Sequence, residues 1–132
     1  MAKLPARLAT DSRALRIMVV EDDAINATLL AEVLEDMGHI VCAIEDTETG
    51  AVATAARCVP DLIIMDAVLG DGSGIAAIKT ILRSGAIPHL FVSGDLSQVA
   101  ALYPSTPMLQ KPFRISDLAL AIERAVASAA LA

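Results

Sequence analysis

Five times along this chain a short, largely apolar run stops at a polar residue, and a segment with helical spacing or helix-forming composition follows. The runs are Ile17-Met18-Val19-Val20, His39 to Ile44, Leu62-Ile63-Ile64-Met65, Pro88 to Val92, and Pro107-Met108-Leu109-Gln110. Runs this short suit strands covered on both faces, although periodicity alone does not separate one from a buried helix. The alternation is the stronger constraint. Strands that alternate with helices pair in parallel, and right-handed crossovers place the helices on both faces of one sheet. The expected fold class is therefore α/β: a doubly wound, five-stranded parallel sheet made of five βα units.

The helical segments have their own signals. Ile25, Leu29, Val33 and Met37 recur four apart, with Leu30 and Leu34 widening the stripe, and Gly38 follows where a left-handed cap would sit. Glu45 to Gly50 reads as a polar turn, and Ala51 to Cys58 as an alanine-rich helix stopped by Pro60. Ser73 can cap a helix whose face is Ile75, Ile78, Ile81 and Leu82. Leu96 to Leu102 is a short helix, and Ser116 caps a last one with Leu118, Ile122, Ala125 and Val126 on one face. Residues 1–16 are expected to be a mobile tail or a short extra helix, and residues 17–132 a single domain.

Composition narrows the function classes. The 132 residues are 55% hydrophobic but only 2% aromatic, with no Trp, so Ala, Val, Leu, Ile and Met must build the core. No apolar run approaches the ~20 residues of a membrane span, and the N-terminus lacks the apolar middle of a signal peptide. A cytoplasmic protein with no membrane partner is expected. A net charge of −6 argues against a nucleic-acid partner. Cys42 and Cys58 read as buried free thiols, and the isolated His39 and His89 as structural or surface residues.

The strand ends carry the chemistry: Glu21-Asp22, Asp66, Ser93 and Lys111. In a parallel sheet all carboxyl ends share one edge, and neighbouring strands lie ~4.8 Å apart. Carboxylates gathered there repel and raise one another's pKa values. A divalent cation resolves the conflict, and Mg²⁺ favours such hard oxygen ligands. Lys111 adds a point charge and Ser93 a hydroxyl donor. The set can support phosphoryl transfer onto Asp66, with positioning and electrostatics as its main work. Simpler roles compete: Asp66 could merely cap the next turn, Asp23 reads as a helix-start residue, and Asp71 as a turn former.

In order and at strand ends, four fragments resemble the receiver domain of bacterial two-component response regulators. They are Val19-Val20-Glu21-Asp22, Asp61-Leu62-Ile63-Ile64-Met65-Asp66, Phe91-Val92-Ser93-Gly94 and Lys111-Pro112-Phe113. The resemblance implies a flavodoxin-like fold with strand order 2-1-3-4-5. It implies that Asp66 is the phosphoacceptor for a histidine kinase or histidine phosphotransferase. It further implies that Glu21, Asp22, Asp66 and the Val68 carbonyl bind Mg²⁺, that Lys111 contacts the acyl phosphate, that Ser93 is a switch residue, and that the Lys111–Pro112 bond is cis. The implied function is a single-domain response regulator in a phosphorelay, a signalling module rather than an enzyme.

Two positions depart from the family. Met108 stands where most receivers carry a switch aromatic, three residues before the lysine. Gly70 replaces a frequent proline and is expected to loosen its loop. The Phe91-Val92-Ser93-Gly94 run resembles stand-alone receivers named for a Phe-Ala-Thr-Gly signature, which are associated with HWE/HisKA2-type kinases. With no output domain expected after the final helix, signalling would proceed by binding an unidentified downstream protein. The alternatives are a phosphate sink for a shared kinase and an aspartyl-nucleophile Mg²⁺-dependent phosphohydrolase. The second fits poorly, because Val68 stands where that chemistry needs a second Asp.

Overall fold

The computed structural model describes residues 13–131. Five strands form one parallel sheet: β1 (Arg16–Val20), β2 (Ile40–Glu45), β3 (Leu62–Asp66), β4 (His89–Ser93) and β5 (Met108–Gln110). Their order is β2-β1-β3-β4-β5, the expected 2-1-3-4-5. Five helices connect them: α1 (Ala24–Asp36), α2 (Glu48–Cys58), α3 (Gly74–Ile81), α4 (Ser97–Leu102) and α5 (Ile115–Leu131). β3 lies between β1 and β4, and all five of its residues are buried.

Side chains alternate across the sheet and so divide the core in two. One layer joins Met18, Val20, Ile63, Met65 and Phe91 to α2 and α3. The other joins Ile17, Val19, Ile64, Leu90 and Val92 to Leu34 of α1 and to Leu118 and Ile122 of α5. Leu15 is buried in this second layer and Arg16 opens β1, so the packed fold begins slightly before residue 17. The rest of the N-terminal lead-in, residues 1–12, lies outside the described residues. Among the described residues no helix is long and apolar enough to cross a membrane.

Several local expectations are corrected. The α1 stripe is only partly as expected: Leu34 is buried and Leu30, Val33 and Met37 pack against the core, but Ile25 is 73% exposed and Leu29 54%, and Ala27 and Ala31 are buried as well. Small alanines let α1 approach the sheet closely, and the bulkier Ile25 and Leu29 are left outside. α2 starts at Glu48, earlier than expected, because the Thr47 hydroxyl accepts from the Gly50 N–H at 3.0 Å. α5 starts at Ile115, so Ser116 is not its cap. The Asp117 carboxylate instead accepts from the Arg114 N–H at 3.2 Å, turning the chain one residue sooner. Cys42 and Cys58 are free as expected but only half-buried. His39 is structural: its Nδ1 accepts from the Leu15 N–H at 3.1 Å, and burial lowers its pKa.

Between β3 and α3 the chain makes a feature absent from the sequence reading. Val68–Leu69 pairs antiparallel with Gly72–Ser73, forming a small ribbon. Gly72 has φ +143°, a conformation that side chains rarely adopt. Gly74 then presses α3 against β3. A Cβ there would run into the Asp66 carbonyl and lie 2.8 Å from Met65 Cγ. Gly74→Ala should therefore cost at least about 2 kcal/mol, because backbone must move to admit the methyl group. Gly94→Ala, where a Cβ meets nothing within 4 Å, is the control and should change stability by no more than about 0.5 kcal/mol. Urea denaturation of the two variants measures both, and equal stabilities would show that α3 is free to move away from β3.

Candidate functional site

The carboxyl ends of β1, β3 and β4 meet at one edge of the sheet. Glu21 and Asp22 follow β1, Asp66 ends β3 and Ser93 ends β4. Register places Asp66 opposite Val92, so Ser93 lies one residue beyond it on the adjacent strand. Lys111 follows β5, and its N–H donates to the Ser93 carbonyl at 2.8 Å. Glu21 and Asp66 are each 5% exposed and Ser93 3%, whereas Asp22 is exposed.

Lys111 organises the centre. Its Nζ lies 2.5 Å from Glu21 Oε1 and 2.8 Å from Asp66 Oδ2. Burial alone would lower the lysine's pKa, but its bonds to Asp66 and Glu21 outweigh burial and hold it above the ordinary value. Burial pushes Glu21 up, against the pull of Lys111 and of the Asp23 N–H. Asp66 Oδ1 accepts from the Val68 N–H at 2.9 Å, and Asp22 Oδ2 from the Gly70 N–H at 2.7 Å. Asp23 stands apart as the α1 cap, accepting from the Ile25 and Asn26 N–H groups at 3.0 Å each.

One oxygen each from Glu21, Asp22 and Asp66 falls within 4.8 Å of the others. Three carboxylates against one ammonium leave a formal excess of two negative charges. The donors are all hard oxygens, so the set fits a divalent cation such as Mg²⁺. The Val68 side chain is 59% exposed, but its backbone belongs to the ribbon beside Asp66.

The structure brings Glu21, Asp22, Asp66, Ser93 and Lys111 together and packs Met108 against the core instead. Met108 pairs with Phe91 across β4 and β5 and packs against the core beside Leu96 and Tyr103. The Lys111–Pro112 bond is cis, in keeping with the resemblance. Four contacts escaped sequence reasoning. Tyr103 stacks on Phe91 with ring centres 6.3 Å apart. Gln110 Nε2 donates to the Gly94 carbonyl at 2.5 Å. Glu48 Oε1 accepts from the Ser73 N–H at 3.0 Å. The Gly70 N–H holds Asp22, so the loop expected to be loosened is a ribbon tied at both ends. The one signal for Tyr103 was rarity, since it is the only tyrosine among three aromatics.

A parallel α/β sheet with two buried carboxylates and a bridging lysine at its carboxyl edge is chemically suited to handling a phosphoryl group. The chain belongs to the response regulator receiver domain family, whose pattern residues 17–123 match. It is 30% identical over 128 residues to the phyllosphere-induced regulator PhyR of Methylorubrum extorquens, covering 94% of this chain and 46% of that protein. It is 35% identical over 115 residues to the transcriptional regulatory protein PdtaR of Mycobacterium tuberculosis, covering 84% and 56%. The solution structure of the Erythrobacter litoralis PhyR receiver domain superposes with a TM-score of 0.76 at 26% identity, covering 86% of this chain and 90% of that one. The chain spans about half the length of the curated relatives it matches.

Lys111→Ala tests the electrostatic core without invoking any ligand. It leaves Glu21 and Asp66 facing each other with no cation between them. Breaking a buried pair is strongly destabilising, and because Lys111 is 28% exposed the expected loss is reduced to about 1–3 kcal/mol. Adding Asp66→Asn should recover part of that loss by removing the repulsion. Urea denaturation of the single and double variants without divalent cations measures the coupling. Additive losses would show that the lysine does not hold the pair.

Proposed function

We propose that this receiver domain takes a phosphoryl group from a phosphohistidine donor onto Asp66 and relays a signal by changing its binding surface. The observation that carries this reading is Lys111 bridging Glu21 and Asp66 at the carboxyl edge of the sheet. An Asp66 carboxylate oxygen attacks phosphorus, the new O–P bond forms as the P–N bond breaks, and the imidazole leaves with the electron pair and takes up a proton. Lys111 stays protonated through the step and offers its charge to the transferring oxygens. Mg²⁺, held by Glu21, Asp22, Asp66 and the Val68 carbonyl, would neutralise further charge on the phosphoryl group when bound.

The Ser93 hydroxyl accepts from the Asp95 N–H at 3.3 Å, a long bond that is readily given up. With a phosphoryl group on Asp66, the hydroxyl turns to donate to a phosphoryl oxygen. The 94–107 segment follows, because Gly94 is tied to Gln110 and Tyr103 rests on Phe91. Phosphorylation thus changes charge at one point and packing along a neighbouring face.

A groove of about 630 Å³ beside Glu21 and Lys111 supports a helical phosphodonor. Leu29, Leu30, Val33, Phe113 and Ile115 line it, giving an apolar bed next to the acceptor. An HWE/HisKA2-type histidine kinase or a histidine phosphotransferase is the proposed donor, and the residues before Leu15 are proposed to lie outside the receiver domain proper.

Phosphotransfer from labelled candidate kinases tests the assignment. Label should reach the wild-type chain in the presence of Mg²⁺ and fall to background in Asp66→Asn. Undiminished labelling of that variant would remove Asp66 from the role. Amide spectra with and without beryllofluoride and Mg²⁺ test the relay, and resonances from Ser93 to Pro107 should move. An unchanged set there would sink the relay while leaving the acceptor assignment standing.

A further inference from the structure

We propose that the backbone N–H of Gly70 is a positioning group for the metal site, fixing Asp22 and the Val68 carbonyl relative to each other before a cation arrives. The inference rests on the Mg²⁺ reading of the site given above. Of the three clustered carboxylates, Glu21 and Asp66 are buried and held by Lys111. Asp22 is exposed, and its one hydrogen bond among the described residues comes from the Gly70 N–H at 2.7 Å. Without it the Asp22 side chain would be free to change rotamer, and ordering it on metal binding would weaken affinity.

The bond does more than orient one carboxylate. Gly70 begins the turn of the ribbon whose first strand contains Val68. The ribbon's far end is held independently, where Glu48 on α2 accepts from the Ser73 N–H at 3.0 Å and lies against Gly72. Val68 itself donates its N–H to Asp66 at 2.9 Å. The single Gly70 contact therefore closes a circuit from β1 through the ribbon to β3, and three of the four residues proposed to hold the cation, Asp22, Val68 and Asp66, sit on it. Asp22 Oδ2 accepts the amide, and the other carboxylate oxygen is left for a cation. A hydrogen-bonded carboxylate ligand of this kind is the usual form in metal sites.

Residue type matters here through the amide rather than through flexibility. Proline has no N–H and cannot make the bond. A side chain at position 70 is also crowded, since a Cβ would lie 2.9 Å from Asp22 Oδ2. Glycine both donates and makes room.

Titration with Mg²⁺ alone, followed by calorimetry and amide spectra, tests the proposal. Gly70→Pro should bind Mg²⁺ at least about tenfold more weakly than the wild-type chain, the scale seen when a partner of a metal ligand is lost. In the wild type, the Gly70 amide should keep the small temperature coefficient of a hydrogen-bonded proton through Mg²⁺ saturation. Equal or tighter binding by a folded Gly70→Pro variant would overturn the proposal. So would release of the Gly70 amide to solvent on saturation, because the amide would then be competing with the cation. If the variant does not fold, the wild-type amide titration decides. Failure of the wild-type chain to bind Mg²⁺ at all would overturn the metal reading and this inference with it, an outcome distinct from a silent Gly70→Pro.

Discussion

Glu21 and Asp66 are both buried, and both sit within a hydrogen bond of the same ammonium. Two like charges about 4 Å apart repel by about 4 kcal/mol at an effective dielectric of 20. The sheet forces them into this position, because adjacent parallel strands end side by side. Lys111 is what makes the arrangement tolerable, and its long side chain reaches both partners from the end of the far strand. Local stability and function share this contact. A group that bridges two carboxylates in the resting chain would also be placed to meet the phosphoryl group proposed for one of them.

How far the sequence revealed this depends on what kind of signal each part carries. Strand ends were legible because a buried strand reads as an apolar run, and the first polar residue after it must lie at the edge. That located Glu21, Asp22, Asp66, Ser93 and Lys111 and suggested their chemistry, while the histidine-kinase donor, the Val68 ligand and the switch role of Ser93 came from the resemblance. The α1 face was misjudged at Ile25 and Leu29 for a physical reason. Periodicity finds an apolar stripe but weighs Ile and Leu above Ala, and close packing on the sheet favoured Ala27 and Ala31. Leu29, left outside, lines a groove instead. The caps at Thr47 and Arg114–Asp117 shifted helix starts because several polar residues in a row could serve, and only geometry selects one.

The missing aromatic at position 108 shows a different limit. Sequence alignment with a family tests one position at a time, whereas a packing role can be filled from elsewhere. Met108 and Tyr103 share the core patch around Phe91, and Tyr103 supplies the ring. It stands at the end of α4, on the segment that begins just after Ser93. Phe91 is therefore covered by a flexible thioether and an aromatic ring together. That is a suitable physical basis for a surface that changes without opening the core.

The ribbon at Val68–Ser73 makes a related point about order. Its turn and second strand contain the residues that look most flexible, Gly70 and Gly72, yet both ends are fixed by carboxylates from different elements. Glycine here permits close approach rather than motion. Asp22 and Glu48 each gain an amide donor, and the ribbon gains two anchors at opposite ends. Because the same ribbon contains Val68, which donates its amide to Asp66, order in this loop is order in the site. The strand edge supplies charge, the lysine makes that charge tolerable, and the ribbon sets the geometry in which a cation and a phosphoryl group could be received together.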